Sequence, residues 1–190
     1  MHQVICTDAL TLLDSIDYAR MVFVNPPDNS QLSDLIEIGV AKADIFWLSY
    51  SEEWAPEVAL IVDKLLESYE GLQVEPCIQM YNSGNKPLLR ITQENIELYP
   101  TDEDSSLIEH CVHLSCRRYD TVIDPFAGDG TTLRLCKCLG ISCVTGDTDP
   151  QICAKIADEN DLQPALSNYW PDGRWYGGQG VGLCSRVSGQ

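Results

Sequence analysis

Residues 124–132, Asp-Pro-Phe-Ala-Gly-Asp-Gly-Thr-Thr, combine the residue types that could bind a nucleotide-like ligand. The two glycines allow the backbone to approach a ligand, and residues 131–139 behind them have the apolar pattern of a helix. Residues 121–123 ahead of them are a β-branched run, typical of a buried parallel strand. The run lacks the lysine of a triphosphate-binding loop, and its two aspartates would repel a triphosphate. The pattern therefore indicates a binding turn for a different nucleotide-like ligand.

Polar side chains also follow three other predicted strands. They are Asp8, Asn25 and Asp147, in addition to Asp124. Ligands of doubly wound sheets bind at the carboxyl ends of the strands, so we expect these four side chains to meet in one site. Carboxylates in such a site suit a ligand that carries hydroxyl groups and a positive centre. S-adenosyl-L-methionine has both.

The elements that must position these side chains follow from hydrophobic periodicity and from glycine and proline turns. The predicted strands are residues 3–6, 21–24, 44–49, 72–81, 88–97, 121–123 and 141–146, and the predicted helices are residues 9–13, 33–42, 54–68, 105–116, 131–139 and 150–160. Residues 82–87 have the composition of a hairpin turn. The sequence therefore predicts an α/β fold, a doubly wound Rossmann-like sheet of about seven mostly parallel strands with one antiparallel hairpin.

The domain organisation follows from a change in composition. Residues 1–162 are expected to form a single domain. Residues 163–190 are expected to form an irregular tail that is rich in glycine and aromatic residues. Its aromatic side chains could pack on the domain or on a neighbour, or could stack on bases.

The net charge limits how the chain could bind nucleic acid. There are 12 Lys and Arg residues against 29 Asp and Glu residues, which gives a formal net charge of −17. A protein that binds DNA unaided usually presents a basic face. The composition therefore predicts weak DNA binding by this chain alone. A basic specificity subunit, another partner or a homo-oligomer could supply the missing affinity.

Membrane and metal functions are not expected. No apolar run is long enough to span a bilayer and the first residues lack the pattern of a signal peptide, so a cytoplasmic location is predicted. The nine cysteines include no Cys-x-x-Cys pair, and several lie within apolar runs. They are expected to be reduced core residues, and no metal site is predicted.

Two stretches of the sequence resemble the signatures of one enzyme family. Asn25-Pro26-Pro27 and residues 124–132 resemble the proline signature and the cofactor loop of DNA amino-methyltransferases, which modify adenine N6 or cytosine N4. The proline signature comes first, which is the circularly permuted order of the beta class. Residues 7–10, 99–101 and 146–150 resemble three weaker features of the same family. Together the matches cover about residues 3–160.

The resemblance implies a set of residues that bind S-adenosyl-L-methionine. Asp147 would accept hydrogen bonds from the ribose hydroxyls and Asp8 from the adenine amino group. Asp124 would lie near the methionine part, where its charge favours the sulfonium, and Phe126 would pack near the cofactor. The complete implied set is Asp8, Thr101, Asp124, Phe126, Gly128, Gly130, Thr131 and Asp147.

The resemblance also implies a catalytic segment, formed by Asn25, Pro26, Pro27 and Asp28. The side chain of Asn25 and the carbonyl of Pro26 would bind the exocyclic amine of a flipped adenine or cytosine, and catalysis would rest on orientation. The family carries an aromatic residue where this chain has Asp28. Trp47, Tyr50 or the tail aromatics at residues 169–176 could replace it. The interval between the two signatures is filled by predicted core elements, so no separate target-recognition domain is expected.

Three functions follow from these observations. The first is an active DNA amino-methyltransferase with low sequence specificity or with a partner that supplies it. The second is a non-catalytic or regulatory subunit, which the charge and Asp28 favour. The third is a methyltransferase that acts on RNA or on another amine.

Overall fold

The computed structural model describes residues 1–79, 86–93, 96, 98, 106–162 and 165–166. They form an α/β fold in which helices cover both faces of one sheet. The strands are β1 (His2–Cys6), β2 (Ala19–Val24), β3 (Ala43–Ser49), β4 (Leu72–Gln79), β5 (Lys86–Gln93), β6 (Thr121–Asp124), β7 (Ser142–Asp147) and β8 (Ala165–Leu166). The helices are α1 (Ala9–Asp14), α2 (Leu32–Ala41), α3 (Ala55–Ser68), α4 (Leu107–Ser115), α5 (Thr131–Leu139) and α6 (Pro150–Glu159).

The strands form a single sheet in the order β4-β5-β3-β2-β6-β7-β1-β8. Strand β5 is antiparallel to both of its neighbours, and every other pairing is parallel. The predicted fold class, including the hairpin of β4 and β5, is therefore confirmed. Strand β8 was not predicted: its two residues pair with β1 inside the segment expected to be irregular. Residues 167–190 of the predicted tail lie outside the described residues.

Alternation along the strands divides the core between the two faces of the sheet. In β3, Phe46 and Leu48 face a cluster that includes α1, α2 and α3, while Ile45 and Trp47 face a cluster that includes α4, α5 and α6. Trp47 is fully buried, and its indole N–H donates to Ser115 Oγ at 2.8 Å. The suggestion that Trp47 could stack on a substrate base is therefore wrong.

Three helix starts differ from the prediction, and one of them is that of α4, which begins at Leu107 rather than at residue 105. Helix α2 begins at Leu32 without a side-chain cap, so Ser33 lies in its first turn and donates to Glu37 at 3.4 Å. A 3-10 turn at Glu52–Trp54 precedes α3, which begins at Ala55. This turn was not predicted, and it brings Trp54 to the edge of the sheet described below.

The cysteines of the described residues are free thiols, most of them buried. Burial raises the pKa of the Cys111 thiol well above its usual value. Among the described residues, no group of histidine, cysteine and acidic side chains could hold a metal ion. None of the described helices is long and apolar enough to cross a membrane.

Candidate functional site

One cavity of about 1130 Å³ lies at the carboxyl edge of the parallel strands. Side chains that follow or end β1, β2, β3 and β7 line it, together with the loop after β6. The lining residues are Asp8, Ala9, Asn25, Pro26, Pro27, Asp28, Ser30, Gln31, Leu35, Ser49, Tyr50, Ser51, Glu52, Glu53, Trp54, Pro87, Pro125, Phe126, Gly128, Asp147 and Thr148. The structure thus brings both sequence signatures to one cavity.

Asp124 does not line this cavity. Its carboxylate is buried and accepts hydrogen bonds from Phe126 N at 3.0 Å and from the Thr132 hydroxyl. Burial raises the pKa of Asp124 to about 7, although both hydrogen bonds favour the charged form. Asp124 therefore holds the loop in shape, and its expected place near the methionine part of a cofactor stays a prediction.

The two loop glycines have different surroundings. Gly128 has φ +53° and lines the cavity, and an added Cβ would meet only the Phe126 carbonyl, at 3.8 Å. Gly130 has φ +79° at the start of α5, where a Cβ would lie 3.0 Å from Ile156. Gly128 therefore keeps a wall of the cavity open, whereas Gly130 permits the turn and the packing of α5 on α6.

Two further residues of the predicted cofactor set do not reach the cavity in the described structure. Among the described residues, neither Gly130 nor Thr131 lines it. The backbone N–H and the hydroxyl of Thr131 donate to Asp129, at 3.0 and 2.7 Å, and the hydroxyl bond is the main reason that the pKa of Asp129 is lowered. Both positions therefore shape the loop. Thr101 lies outside the described residues.

Asp8 and Asp147 lie close together, as predicted. Cys6 of β1 pairs with Asp147 of β7, and both carboxylates line the cavity. Asp8 also caps α1, accepting from Thr11 N at 2.9 Å and from the Thr11 hydroxyl at 2.6 Å. Asp147 accepts from Asp149 N at 2.9 Å. These bonds fix the orientation of the carboxylates and leave acceptor capacity for a ligand.

All four residues of the predicted catalytic segment line the cavity. Pro26 is buried, whereas Asn25, Pro27 and Asp28 are exposed. The Asp28 carboxylate accepts from Ser30 N at 2.9 Å and from the Ser30 hydroxyl at 2.5 Å, and these bonds lower its pKa. Asp28 is thus a turn residue that faces solvent at the mouth of the cavity.

A further part of the lining was only partly predicted, since the sequence indicated Tyr50 but not Ser49 or Trp54. It consists of residues 49–54, of which Tyr50 and Trp54 are half-buried aromatics. Ser49 is a polar residue at the end of a buried strand, the same signal that identified Asp8 and Asn25. That signal could have found Ser49, but nothing in the sequence predicted the 3-10 turn that brings Trp54 to the cavity.

The lining is strongly acidic. It contains five carboxylates and, among the described residues, no lysine or arginine. The acidic members are Asp8, Asp28, Glu52, Glu53 and Asp147. Such a cavity favours a cationic ligand and disfavours phosphate groups. With the open wall at Gly128 and the paired Asp8 and Asp147, the residues present fit S-adenosyl-L-methionine, which carries a sulfonium, a ribose and an adenine amino group.

One family model matches part of this chain. The family model described as DNA methylase, of the N6 and N4 type, matches residues 72–159, which include the hairpin, the 124–132 loop and α6. A search of curated protein sequences found no match.

Several solved structures share the fold. The crystal structure of M1.HpyAVI is 15% identical, with a TM-score of 0.65, over 84% of this chain and 99% of that one. TTHA0409 from Thermus thermophilus, solved with S-adenosyl-L-methionine, is 15% identical with a TM-score of 0.64, over 84% of this chain and 93% of that one. The cytosine-N4-specific PvuII DNA methyltransferase is 12% identical with a TM-score of 0.57, over 82% of this chain and 85% of that one. At these identities the likeness concerns the fold alone.

The sheet, the acidic cavity and the glycine loop are features expected of an S-adenosyl-L-methionine-dependent methyltransferase. Within that class, the family match confirms the predicted resemblance to the DNA amino-methyltransferases. The findings support the predicted cofactor and the predicted reaction, S-adenosyl-L-methionine-dependent methylation of an amine in DNA. The circularly permuted order of the signatures stays a prediction.

Proposed function

We propose that this chain transfers a methyl group from S-adenosyl-L-methionine to the exocyclic amine of adenine or cytosine in DNA. The observation that carries the proposal is the single cavity that joins the catalytic segment to the cofactor side. Asn25 and Pro26 line it together with Asp8, Asp147 and the Phe126 loop. A base amine held at Asn25 and a cofactor held at Asp147 would therefore meet in one cavity.

The roles of the chain's own residues follow from their chemistry. S-adenosyl-L-methionine supplies an electrophilic methyl group when it is bound. Asp147 holds the ribose hydroxyls and Asp8 the adenine amine, while Phe126 packs near the cofactor. The Asn25 side-chain oxygen and the Pro26 carbonyl accept hydrogen bonds from the target amine and direct its lone pair. Orienting two reactants in this way accounts for most of the catalytic effect.

The charge of this chain does not favour the binding of duplex DNA. The net charge is −17 and the carboxylates at the cavity mouth repel phosphates. We therefore propose that a basic partner, or another copy of the chain, supplies DNA affinity. We also propose that residues 1–162 form a single domain that contains no separate target-recognition domain. The proposed location is cytoplasmic.

A second candidate function is a non-catalytic or regulatory subunit. The acidic cavity mouth and Asp28 favour it, since neither helps a flipped base to bind. In this case the chain would keep the fold and the cofactor, while a partner carries out the transfer.

A labelled-methyl transfer assay separates these functions. The purified chain and labelled cofactor are offered unmodified DNA, RNA and protein in parallel, and labelled nucleosides are identified after digestion. The proposal predicts labelled N6-methyladenine or N4-methylcytosine from DNA at low salt. Cofactor binding without transfer to any substrate would favour the subunit, and label in RNA or protein alone would contradict DNA as the substrate.

A further inference from the structure

The Ser49 hydroxyl has an unusual environment. It is fully buried at the end of β3, and it is one of two buried side-chain polar atoms in the described structure that have no hydrogen-bond partner. A buried hydroxyl without a partner destabilises the fold, so native proteins rarely retain one without a reason. The other atom, His2 Nδ1, lies outside the cavity lining, whereas Ser49 is part of it. An unpartnered hydroxyl at a ligand cavity indicates that a ligand completes its bonding.

The sheet places Ser49 beside the catalytic segment. Val24 of β2 pairs with Leu48 of β3, so Asn25 and Ser49 are neighbours at the carboxyl edge of two parallel strands. Side chains two residues apart on a strand lie on the same face, so Asn25 shares the face of Phe23 and Ser49 that of Trp47. Because Phe23 and Trp47 belong to one core cluster, Asn25 and Ser49 lie on the same face of the sheet. The backbone after Ser49 is fixed, because Tyr50 N donates to the Pro87 carbonyl at 3.1 Å.

Aromatic surface continues from the same wall. Tyr50 and Trp54 line the cavity, and each packs partly on the core while staying half-exposed. Asp28, where the family carries an aromatic residue, offers no such surface because its carboxylate is turned to Ser30. Flat faces for a base are therefore available at residues 50 and 54 but not at residue 28.

We propose that Ser49 is a specificity-determining residue that donates a hydrogen bond to the ring nitrogen next to the target amine, with Tyr50 and Trp54 beside the base. The inference rests on the proposed function. Adenine at N1 and cytosine at N3 carry an unprotonated ring nitrogen adjacent to the carbon that bears the amine. Acceptors at Asn25 and Pro26 with a donor at Ser49 therefore match the edge that the two bases share. Thymine carries a carbonyl in place of the amine, and the acceptors at Asn25 and Pro26 would oppose it.

The hydroxyl is closed to water in the structure, so the base reaches it only when the Ser49 side chain or its neighbour Tyr50 rotates. The resulting bond forms in a dry site, where a hydrogen bond discriminates more strongly than at the surface. Discrimination among bases would then arise from this wall of the cavity.

Ser49→Ala tests the inference with three readouts, and Ser33→Ala is the matched control. Ser33 is exposed on α2 and lies outside the cavity lining. For Ser49→Ala we expect kcat/KM on DNA to fall about tenfold, cofactor Kd to stay unchanged, and Tm to stay equal or rise because an unsatisfied hydroxyl is removed. Ser33→Ala should change none of these. A merely structural serine would instead lose activity and Tm together, which would overturn the inference.

A substrate analogue gives the second arm. DNA with 1-deazaadenine or 3-deazacytosine at the target position lacks the ring nitrogen. We expect the wild-type chain to lose about tenfold on this DNA and Ser49→Ala to lose nothing further, as coupled partners do in a double-mutant cycle. Additive losses, or full activity of the Ser49→Ala variant, would overturn the inference about Ser49 but not the proposed function. A wild-type chain that methylates no DNA would instead overturn the proposed function on which it rests.

Discussion

The two halves of the cavity differ in how completely their polar groups are bonded within the chain. On the cofactor side, backbone N–H groups donate to the carboxylates of Asp8, Asp124 and Asp147. On the substrate side, the Asp28 carboxylate is likewise bonded by Ser30, but the buried Ser49 hydroxyl has no partner in the described structure. The substrate side therefore contains a bonding group that a ligand would satisfy.

This difference separates stability from function along the chain. Groups whose bonds are complete within the chain stabilise the fold, and their replacement should change stability or cofactor affinity. Groups whose bonds are incomplete should change transfer while leaving stability unchanged or improved, as is common at functional sites. Four substitutions test this distinction.

The largest effect is expected at Asn25. Asn25→Ala should reduce methyl transfer to DNA at least about 100-fold, because the target amine loses its orientation. The cofactor Kd from calorimetry should stay within about twofold of wild type, since Asn25 lies on the substrate side. Asn29→Ala is the control, because Asn29 lies outside the lining and donates only to Glu57, at 2.7 Å, among the bonds described. Equal losses of methyl transfer in Asn25→Ala and Asn29→Ala would contradict the role of Asn25 in orienting the target amine.

The next largest effect is the pH dependence that Asp124 gives to the free energy of unfolding. Its folded-state pKa of about 7 lies above the usual value of 3.8, so the folded chain binds this proton more tightly than the unfolded chain. The contribution to the free energy of unfolding is therefore complete below about pH 4 and is lost as pH rises to about 7, at up to roughly 1.4 kcal/mol per pH unit.

Asp124→Asn should remove this dependence, because an amide can bond Phe126 N and Thr132 without a charge. The difference in free energy of unfolding between wild type and Asp124→Asn should fall as pH rises from about 4 to 7, measured by urea denaturation without cofactor. Asp129→Asn is the control in the same loop. The pKa of Asp129 is lowered, so its stabilising contribution is lost as pH falls instead. A pH-independent difference for Asp124→Asn would show that the carboxyl is not proton-linked to folding.

A smaller effect is expected at Asp147. Asp147→Asn should weaken binding of S-adenosyl-L-methionine about tenfold, because hydrogen bonds from the ribose to a charged acceptor are stronger than those to an amide. Tm without cofactor should change little. Asp149→Asn is the matched control, since asparagine also caps a helix and Asp149 lies outside the cavity lining. Similar affinities for wild type and Asp147→Asn would remove Asp147 from the cofactor site.

The smallest effect is expected at Asp28. Asp28→Ala should change kcat by less than about threefold, because its carboxylate bonds only Ser30 among the described residues and other side chains offer the aromatic surface. Loss of a carboxylate at the cavity mouth should also strengthen DNA binding slightly at low salt. The measurement is single-turnover transfer at two salt concentrations. A large loss would place Asp28 in the catalytic machinery, and a large gain for Asp28→Tyr would show that the missing aromatic limits the site.

The sequence predicted the parallel sheet because its strands are short β-branched runs ended by glycine, proline or acidic turns. It likewise predicted Asp8, Asn25 and Asp147, whose positions at strand ends are a topological consequence of the fold. It could not predict that the Asp124 side chain is buried rather than part of the cavity lining. That position depends on the hydrogen bonds from Phe126 and Thr132. Nor could the sequence predict that Trp54 reaches the cavity, since the 3-10 turn forms through tertiary packing.

The most direct test of the account is calorimetric titration of the purified chain with S-adenosyl-L-methionine. The acidic cavity, the open wall at Gly128 and the pair of Asp8 and Asp147 predict one binding site per chain, with binding weakened in Asp147→Asn but not in Asp149→Asn. An absence of binding at cofactor concentrations up to about 1 mM, the weak end of typical KM values, would contradict both the active enzyme and the cofactor-binding subunit.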